Sequence, residues 1–144
     1  MAKAGVSFEV RGYEKLGREI IKLEKQIRNP EKAYRESKMI MLQDVDRHFI
    51  SQSGPQGKWE ALKPWTLRKR RGGGAKILQD TGRLKGSITG IYDRWGVVVG
   101  TNINYALQHQ FGDTSKHIPR REFLYLNESA QQRILDRFII QLRG

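Results

Sequence analysis

The sequence predicts an α+β fold: a small antiparallel sheet of three or four strands, packed with an N-terminal helical hairpin and a C-terminal helix. Three observations carry this. Apolar residues recur at helical spacing in three stretches, clearest in Tyr13, Leu16, Ile20, Leu23 and Ile27. Apolar and polar residues alternate in Val6-Ser7-Phe8-Glu9-Val10, the period of a half-buried strand. Two strand-like runs, Ser87–Tyr92 and Trp95–Thr101, flank Asp93-Arg94 as a hairpin would. A length of 144 residues fits one domain spanning 1–144.

The helices follow in order. The first runs to Ile27, with charges of both signs on its outer face. Asn29-Pro30 then suits an N-cap and a first helical position. The second helix reaches about Ile50 and places Ala33, Ser37, Ile40, Met41, Val45 and Phe49 near one face. The short connection between the two implies a helical hairpin. His48 has no second ligand at metal spacing and reads as a structural or surface histidine. Asn127 is a candidate N-cap for the last helix, with Glu128 complementing its positive end. That helix carries Ala130, Ile134, Leu135, Phe138, Ile139 and Leu142 on one face. Leu124-Tyr125-Leu126 is a candidate edge strand.

Composition narrows the function classes. Apolar residues make up 38% of the chain, but they cluster periodically, so a packed domain is expected rather than a disordered one. No apolar run approaches the roughly 20 residues of a membrane helix, and the N-terminus has no apolar signal core. Without cysteine there is no disulfide framework and no thiol nucleophile. The net charge of +12 implies attraction to something acidic.

That charge concentrates between Lys58 and Arg94, where ten basic residues face three acids, a balance of +7. The stretch 54–76 within it is irregular and holds Trp59 and Trp65. Each indole can bury ~150–250 Å², together worth about 8–12 kcal/mol at ~25 cal/mol per Å². Fixing some twenty residues of backbone costs roughly 20–40 kcal/mol. The expectation is therefore a basic loop anchored by its tryptophans and mobile towards Arg71-Gly72-Gly73-Gly74. Thr66 is a candidate cap for a short basic helix, Leu67–Arg71. Trp59, Trp65, Arg68, Lys69, Arg70 and Arg71 are candidate contacts to a partner: phosphates and bases, or an acidic protein surface. Nothing in the spacing separates the two.

A further stretch, Val97 to Phe123, begins as a strand ending at Gly100. It continues as a short helix, Tyr105–Gln110, closed by Phe111-Gly112, where Gly112 suits the left-handed end of a helix. A helix this short cannot hold itself in water. Tyr105 and Phe111 are the aromatic groups available to pack it on the strand, and Phe123, approached through Pro119, plugs the same cluster. His109 ties the turn to the loop by a hydrogen bond. The loop from Gly112 to Lys116, with Asp113 and Lys116, has little apolar material to bury and is a candidate partner surface.

No constellation of residues marks an enzyme. There is no Walker-type phosphate loop and no nucleophile elbow. His109, Asp113 and His117 span a glycine-containing loop without a supporting cysteine, so no metal or other cofactor is expected.

The order of motifs adds what local chemistry does not. His48-Phe49 is followed by Gly57-Lys58-Trp59, then Leu62-Lys63-Pro64-Trp65-Thr66 with Arg70. Next come Ile77-Leu78-Gln79-Asp80-Thr81-Gly82-Arg83-Leu84 and Val99-Gly100-Thr101. Tyr105-Ala106, His109-Gln110-Phe111-Gly112 and Ile118-Pro119-Arg120-Arg121-Glu122-Phe123-Leu124 complete the series. This order resembles the phage virion morphogenesis family, the tail completion proteins of Mu-like and related contractile-tailed phages. Two features depart from the pattern: Arg121-Glu122 stands where a proline-containing link is expected, and the run Arg68–Arg71 is more basic.

The resemblance implies a structural, non-enzymatic protein of the virion that acts late in tail assembly, at the tail end that joins the filled head. It implies tail and head-connector proteins as partners, and ring-like association around the tail axis fits that location. It assigns Thr81, Gly82, Leu84, Tyr105, His109, Phe111, Gly112, Pro119, Arg120 and Phe123 to the scaffold of the family motif. The alternative from charge is a nucleic-acid-binding protein using the basic loop, with weak, non-specific DNA contact. Neither reading involves a membrane.

Overall fold

The computed structural model describes residues 14–27, 29–71, 74–93 and 96–143. Among them lie six helices: α1 (Glu14–Glu24), α2 (Glu31–Ser51), α3 (Pro64–Lys69), α4 (Arg83–Gly86), α5 (Ala106–Phe111) and α6 (Glu128–Arg143). Four short strands accompany them: β1 (Ser53–Gly54), β2 (Gly57–Lys58), β3 (Thr89–Asp93) and β4 (Gly96–Gly100). The fold is α+β, as the sequence predicts. The strands are arranged differently from the expectation. Among the described residues they form two separate two-stranded antiparallel sheets, β1-β2 and β3-β4. The expected strand Val6–Val10 lies outside the described residues, as does Arg94 of the expected tight connection.

Contacts gather into two compact units. One holds 14–44, Gly90–Val99 and 126–143; the other holds Val45–Thr89 and Gly100–Tyr125.

The first unit is built on α1, the first part of α2, the β3-β4 pair and α6. Its core is Ile27, Ala33, Tyr34, Ile40, Ala130, Ile134 and Phe138, flanked by Ile20, Leu23, Met41, Tyr92, Val97 and Leu126. The helical periodicity read from the sequence thus finds its partners, and α1 packs along α6. Tyr34 and Phe138 meet edge to face at 5.6 Å, the arrangement ring quadrupoles favour. Both predicted capping residues bond at a helix start, Asn127 as the cap and Asn29 one residue before the cap, since Pro30 O accepts the first helical bond. Asn29 Oδ1 accepts from the Glu31 amide at 3.1 Å, and Asn127 Oδ1 from the Ala130 amide at 2.7 Å. The Asn127 cap is itself held. Asn127 donates its backbone N–H and its side-chain amide to the buried carboxylate of Asp44, at 3.0 and 2.7 Å. One acidic side chain on α2 therefore fixes where α6 begins.

The second unit starts where α2 ends. Gln52 takes a left-handed conformation (φ 51°), which stops the helix. Its carbonyl accepts from Trp59 N at 2.9 Å and its Oε1 from Ile77 N at 2.6 Å. The short β1-β2 ladder pairs Ser53 with Lys58 and Gly54 with Gly57. α3 begins earlier than the sequence reading placed it. Pro64 occupies the first helical turn and Lys63 the cap, so Thr66 lies inside the helix and Arg70 already follows it; proline pre-set at about φ −65° favours that start. α4 follows Gly82, whose φ of 77° lets the chain turn into it, and Thr81 Oγ1 accepts from Arg83 N at 3.4 Å. Leu84 is buried. Leu124-Tyr125-Leu126, read as an edge strand, is irregular, because side chains rather than a neighbouring strand meet the backbone leading into it.

Candidate functional site

The site forms where the extended segment Arg121–Leu124 crosses the second unit. An extended backbone without a ladder still carries donors and acceptors that must be met when buried. Here three side chains from three elements meet them. Gln110, on α5, is completely buried. Its Oε1 accepts from the amides of Phe123 (3.1 Å) and Leu124 (2.9 Å), and its Nε2 donates to Leu124 O at 2.8 Å. A single carboxamide thus supplies what a neighbouring strand would. His48, on α2, bonds through Nδ1 to Phe123 O at 2.9 Å; a carbonyl only accepts, so the proton sits on Nδ1. The His48 ring also stacks on Tyr125, centroids 3.7 Å apart. Trp59, just after β2, donates Nε1–H to Glu122 O at 3.1 Å.

The apolar side of the same segment is Phe123, buried against Phe49 with centroids 5.6 Å apart; Phe49 in turn meets Trp59 edge to face at 5.9 Å. Gly54 permits this closeness. A Cβ there would lie 3.0 Å from Glu122 O and 3.2 Å from Trp59 Nε1. Arg121 reaches the other way. Its Nε and Nη2 donate to Glu60 O at 3.0 and 2.8 Å, and its own amide to His109 O at 2.8 Å. Arg121 thereby ties the loop after β2 to α5. Arg120 and Glu122 form an ion pair on the outer side.

Between α5 and this segment the chain makes a closed loop. Asp113 and Ile118 exchange two backbone hydrogen bonds of 2.9 Å. Asp113 Oδ1 accepts from Ser115 N at 3.1 Å and Ser115 Oγ at 2.6 Å, capping the 3₁₀ turn Thr114–Lys116. The Ser115 hydroxyl, foremost, holds the Asp113 carboxyl below its ordinary pKa. Gly112 enters the loop at φ 75°, ψ 166°. That is the extended mirror region open to glycine, not the left-handed helix end expected from the sequence. A Cβ there would meet Arg120 N at 3.0 Å.

The structure redistributes the residues singled out by sequence. Phe123 and Leu84 are buried as expected for a scaffold, while Thr81, Gly82, Lys116 and Arg120 are exposed and Pro119 half-buried. Tyr105 and Phe111 were expected to pack inwards, yet they are 37% and 45% exposed. Ala106 and Gln110, four residues apart, take the inner face of α5 instead, and a helix of six residues has one such face. Tyr105 meets the His109 ring edge to face at 6.0 Å. Trp59, a candidate partner contact, is buried and serves the core. Arg70 is half-buried, and its Nη1 donates to Gly74 O and Lys76 O at 2.9 and 2.5 Å. Trp65, Arg68, Lys69 and Arg71 remain at the surface. Sequence reasoning missed Gln110 and Asp44 as organisers. It gave Arg121 only as a departure from pattern.

His109 is half-buried, and its Nδ1 has no hydrogen-bond partner; the bond that ties its turn to the segment beyond the loop is its carbonyl accepting from the Arg121 amide, in place of the side-chain bond expected from the sequence. Burial first, and the Arg121 guanidinium second, lower its pKa from 6.5, so the neutral ring is the folded form. Arg121 is lowered too, by burial, an effect opposed by the Glu60 carboxylate. Gln110, Trp59 and Arg121 thus bond their side chains to backbone. No cluster of His, Cys, Asp or Glu among the described residues could hold a metal ion.

Two expectations follow from this geometry. Gln110→Leu keeps the volume and removes the three bonds Gln110 makes to Phe123 and Leu124; urea unfolding should show a loss of at least ~2 kcal/mol, since two buried amides lose their acceptor. An unchanged midpoint would remove Gln110 from its role. Because the folded protein holds His109 below its unfolded pKa, the unfolded chain binds more protons between the two values. Stability is full above about pH 6.5 and declines as pH falls through that value towards the folded pKa. Thermal unfolding should decline less on acidification in His109→Gln than in wild type. Equal slopes would contradict the assignment.

Comparison with known proteins bears on what this scaffold is for. Neither the curated proteins nor the solved structures gave a significant match. A family model does match, over residues 13–143, nearly the whole chain, including every element of the site. Its family is one of phage structural and assembly proteins. The chain belongs to the phage virion morphogenesis family.

Proposed function

We propose that the protein acts in tail completion, at the head-proximal end of the tail, where it joins the tail to the filled head as a structural component without a catalytic step. The observation that carries this reading is the family match from residue 13 to 143. The site's chemistry supports it. Gln110, His48, Trp59 and Arg121 bind main chain of their own unit, which rigidifies a surface rather than transforming a substrate. That surface comprises the closed loop 112–118 and, beside it, the exposed Leu107 and Phe111 of α5. Leu107 and Phe111 are apolar anchors for neighbouring tail proteins or for further copies. Copies meeting head to tail around the tail axis close into a ring.

A second reading, a weak and sequence-independent nucleic-acid contact, draws on one observation. Segments 45–89 and 100–125 together carry thirteen basic residues against five acidic ones. Such binding falls steeply with salt. One sequence held tightly at high salt would contradict a weak, sequence-independent contact and point instead to a dedicated nucleic-acid-binding role.

Electron microscopy of particles made without the gene tests the proposal. Filled heads and finished tails lying apart are expected. Normal joined virions would contradict it.

A further inference from the structure

α3 buries none of its residues. It carries Trp65, 53% exposed, and Leu67, 41% exposed, in a sequence otherwise basic. Six residues do not make a stable helix alone. Pro64 starts this one, and the chain beyond it is fixed by Arg70, bound to Gly74 O and Lys76 O, and by the Arg71 amide, bound to Asp80 Oδ1 at 2.9 Å. The same bonds shape an open hollow of about 400 Å³ at the end of α3, lined by Leu67, Arg70, Arg71 and Gly74.

We propose that this hollow is a docking site for an acidic segment of another virion protein, which seats an apolar side chain against Leu67 and sets carboxylates against Arg71 and Arg68. The inference deepens the assembly reading and rests on it for the partner being a virion protein. Charge chooses the partner's sign. The side chains of Arg68 and Arg71 have no hydrogen-bond or ion-pair partner among the described residues, and exposed arginines offer paired donors that match carboxylates. A second copy is a poor occupant, because every copy repeats the surplus of +12. Nucleic acid fits less well than protein for three reasons. Arg70 is spent on its own backbone. Lys69 Nζ already lies 5.1 Å from the Trp65 ring centroid, over a face that a base would need for stacking. Leu67 gives the hollow an apolar wall that a phosphate backbone does not use.

The test is fluorescence anisotropy on the full chain at physiological salt with three labelled probes. They are a peptide alternating glutamate and leucine, a polyglutamate of equal charge, and a short DNA duplex. The glutamate–leucine peptide should bind about tenfold or more tighter than polyglutamate, the worth of one buried leucine-sized group. Leu67→Ala should abolish that advantage and leave polyglutamate binding unchanged, with circular dichroism as in wild type because α3 buries nothing. Arg71→Gln should weaken both peptides. Duplex bound more tightly than the peptide, or peptide affinity indifferent to Leu67→Ala, would overturn the docking site. Complementation separates it from the assembly reading. If gene-deficient particles stay unjoined but Leu67→Asp restores joining in full, the docking site is wrong and the assembly role stands. If particles join without the gene, the assembly role fails, and with it the virion partner.

Discussion

The buried extended segment Arg121–Leu124 sets the terms for the unit around it. Its amides and carbonyls leave water without entering a sheet, and unmet groups of that kind cost about 1–3 kcal/mol each. The Gln110 carboxamide answers three of them at once. That requirement explains several otherwise unrelated residues. Ala106 is small where α5 must come close, Gly54 lacks a Cβ where β1 passes Glu122 O, and His48 and Trp59 each turn a ring nitrogen towards a backbone carbonyl. Phe123 is then locked between polar bonds on its backbone and aromatic contact on its ring.

The other unit uses the same device at a different place. Asp44 holds both nitrogens of Asn127, and Asn127 caps α6. In each case a polar residue on the inner face of a helix binds main chain that a larger sheet would otherwise organise. The modest strand content follows from this. Two two-residue strands and one five-residue pair are enough among the described residues when helices carry part of the hydrogen bonding. Polar anchors of this kind also fix geometry more narrowly than apolar packing, which suits the role proposed for the loop and the two exposed apolar side chains beside it.

Much of this was legible in the sequence, and the rest was hidden for a definite reason. Period-based reading found α1, α2 and α6, because apolar residues recur every three or four positions along each inward face, although α2 also buries Ser37, Asp44 and His48. The helix-start bonds of Asn29 and Asn127 follow from side-chain chemistry that acts within three residues. The short helix α5 reversed its expected faces. Hydrophobicity places Tyr105 and Phe111 inside, yet the inner positions are Ala106 and Gln110. The pattern that matters there is a small residue followed four later by an amide, and a period count scores both as weak. Gln110, Asp44 and Arg121 all bond to backbone far away in sequence, and such partners leave no mark on local spacing. Trp59 was misplaced for a related reason: its basic neighbours suggested a surface, while its indole serves a carbonyl 63 residues on. Pro64 marks the start of α3, a local signal that reading Thr66 as the cap passed over.

The central claim is that side chains do for Arg121–Leu124 what a sheet would do. Amide hydrogen exchange measures it residue by residue. The Phe123 and Leu124 amides, bonded among the described residues to Gln110 Oε1, should exchange as slowly as amides in the buried turns of α2, and in Gln110→Ala they should exchange faster while α6 keeps its protection. Exchange of both amides at the rate of an open loop in the wild-type protein would contradict the account.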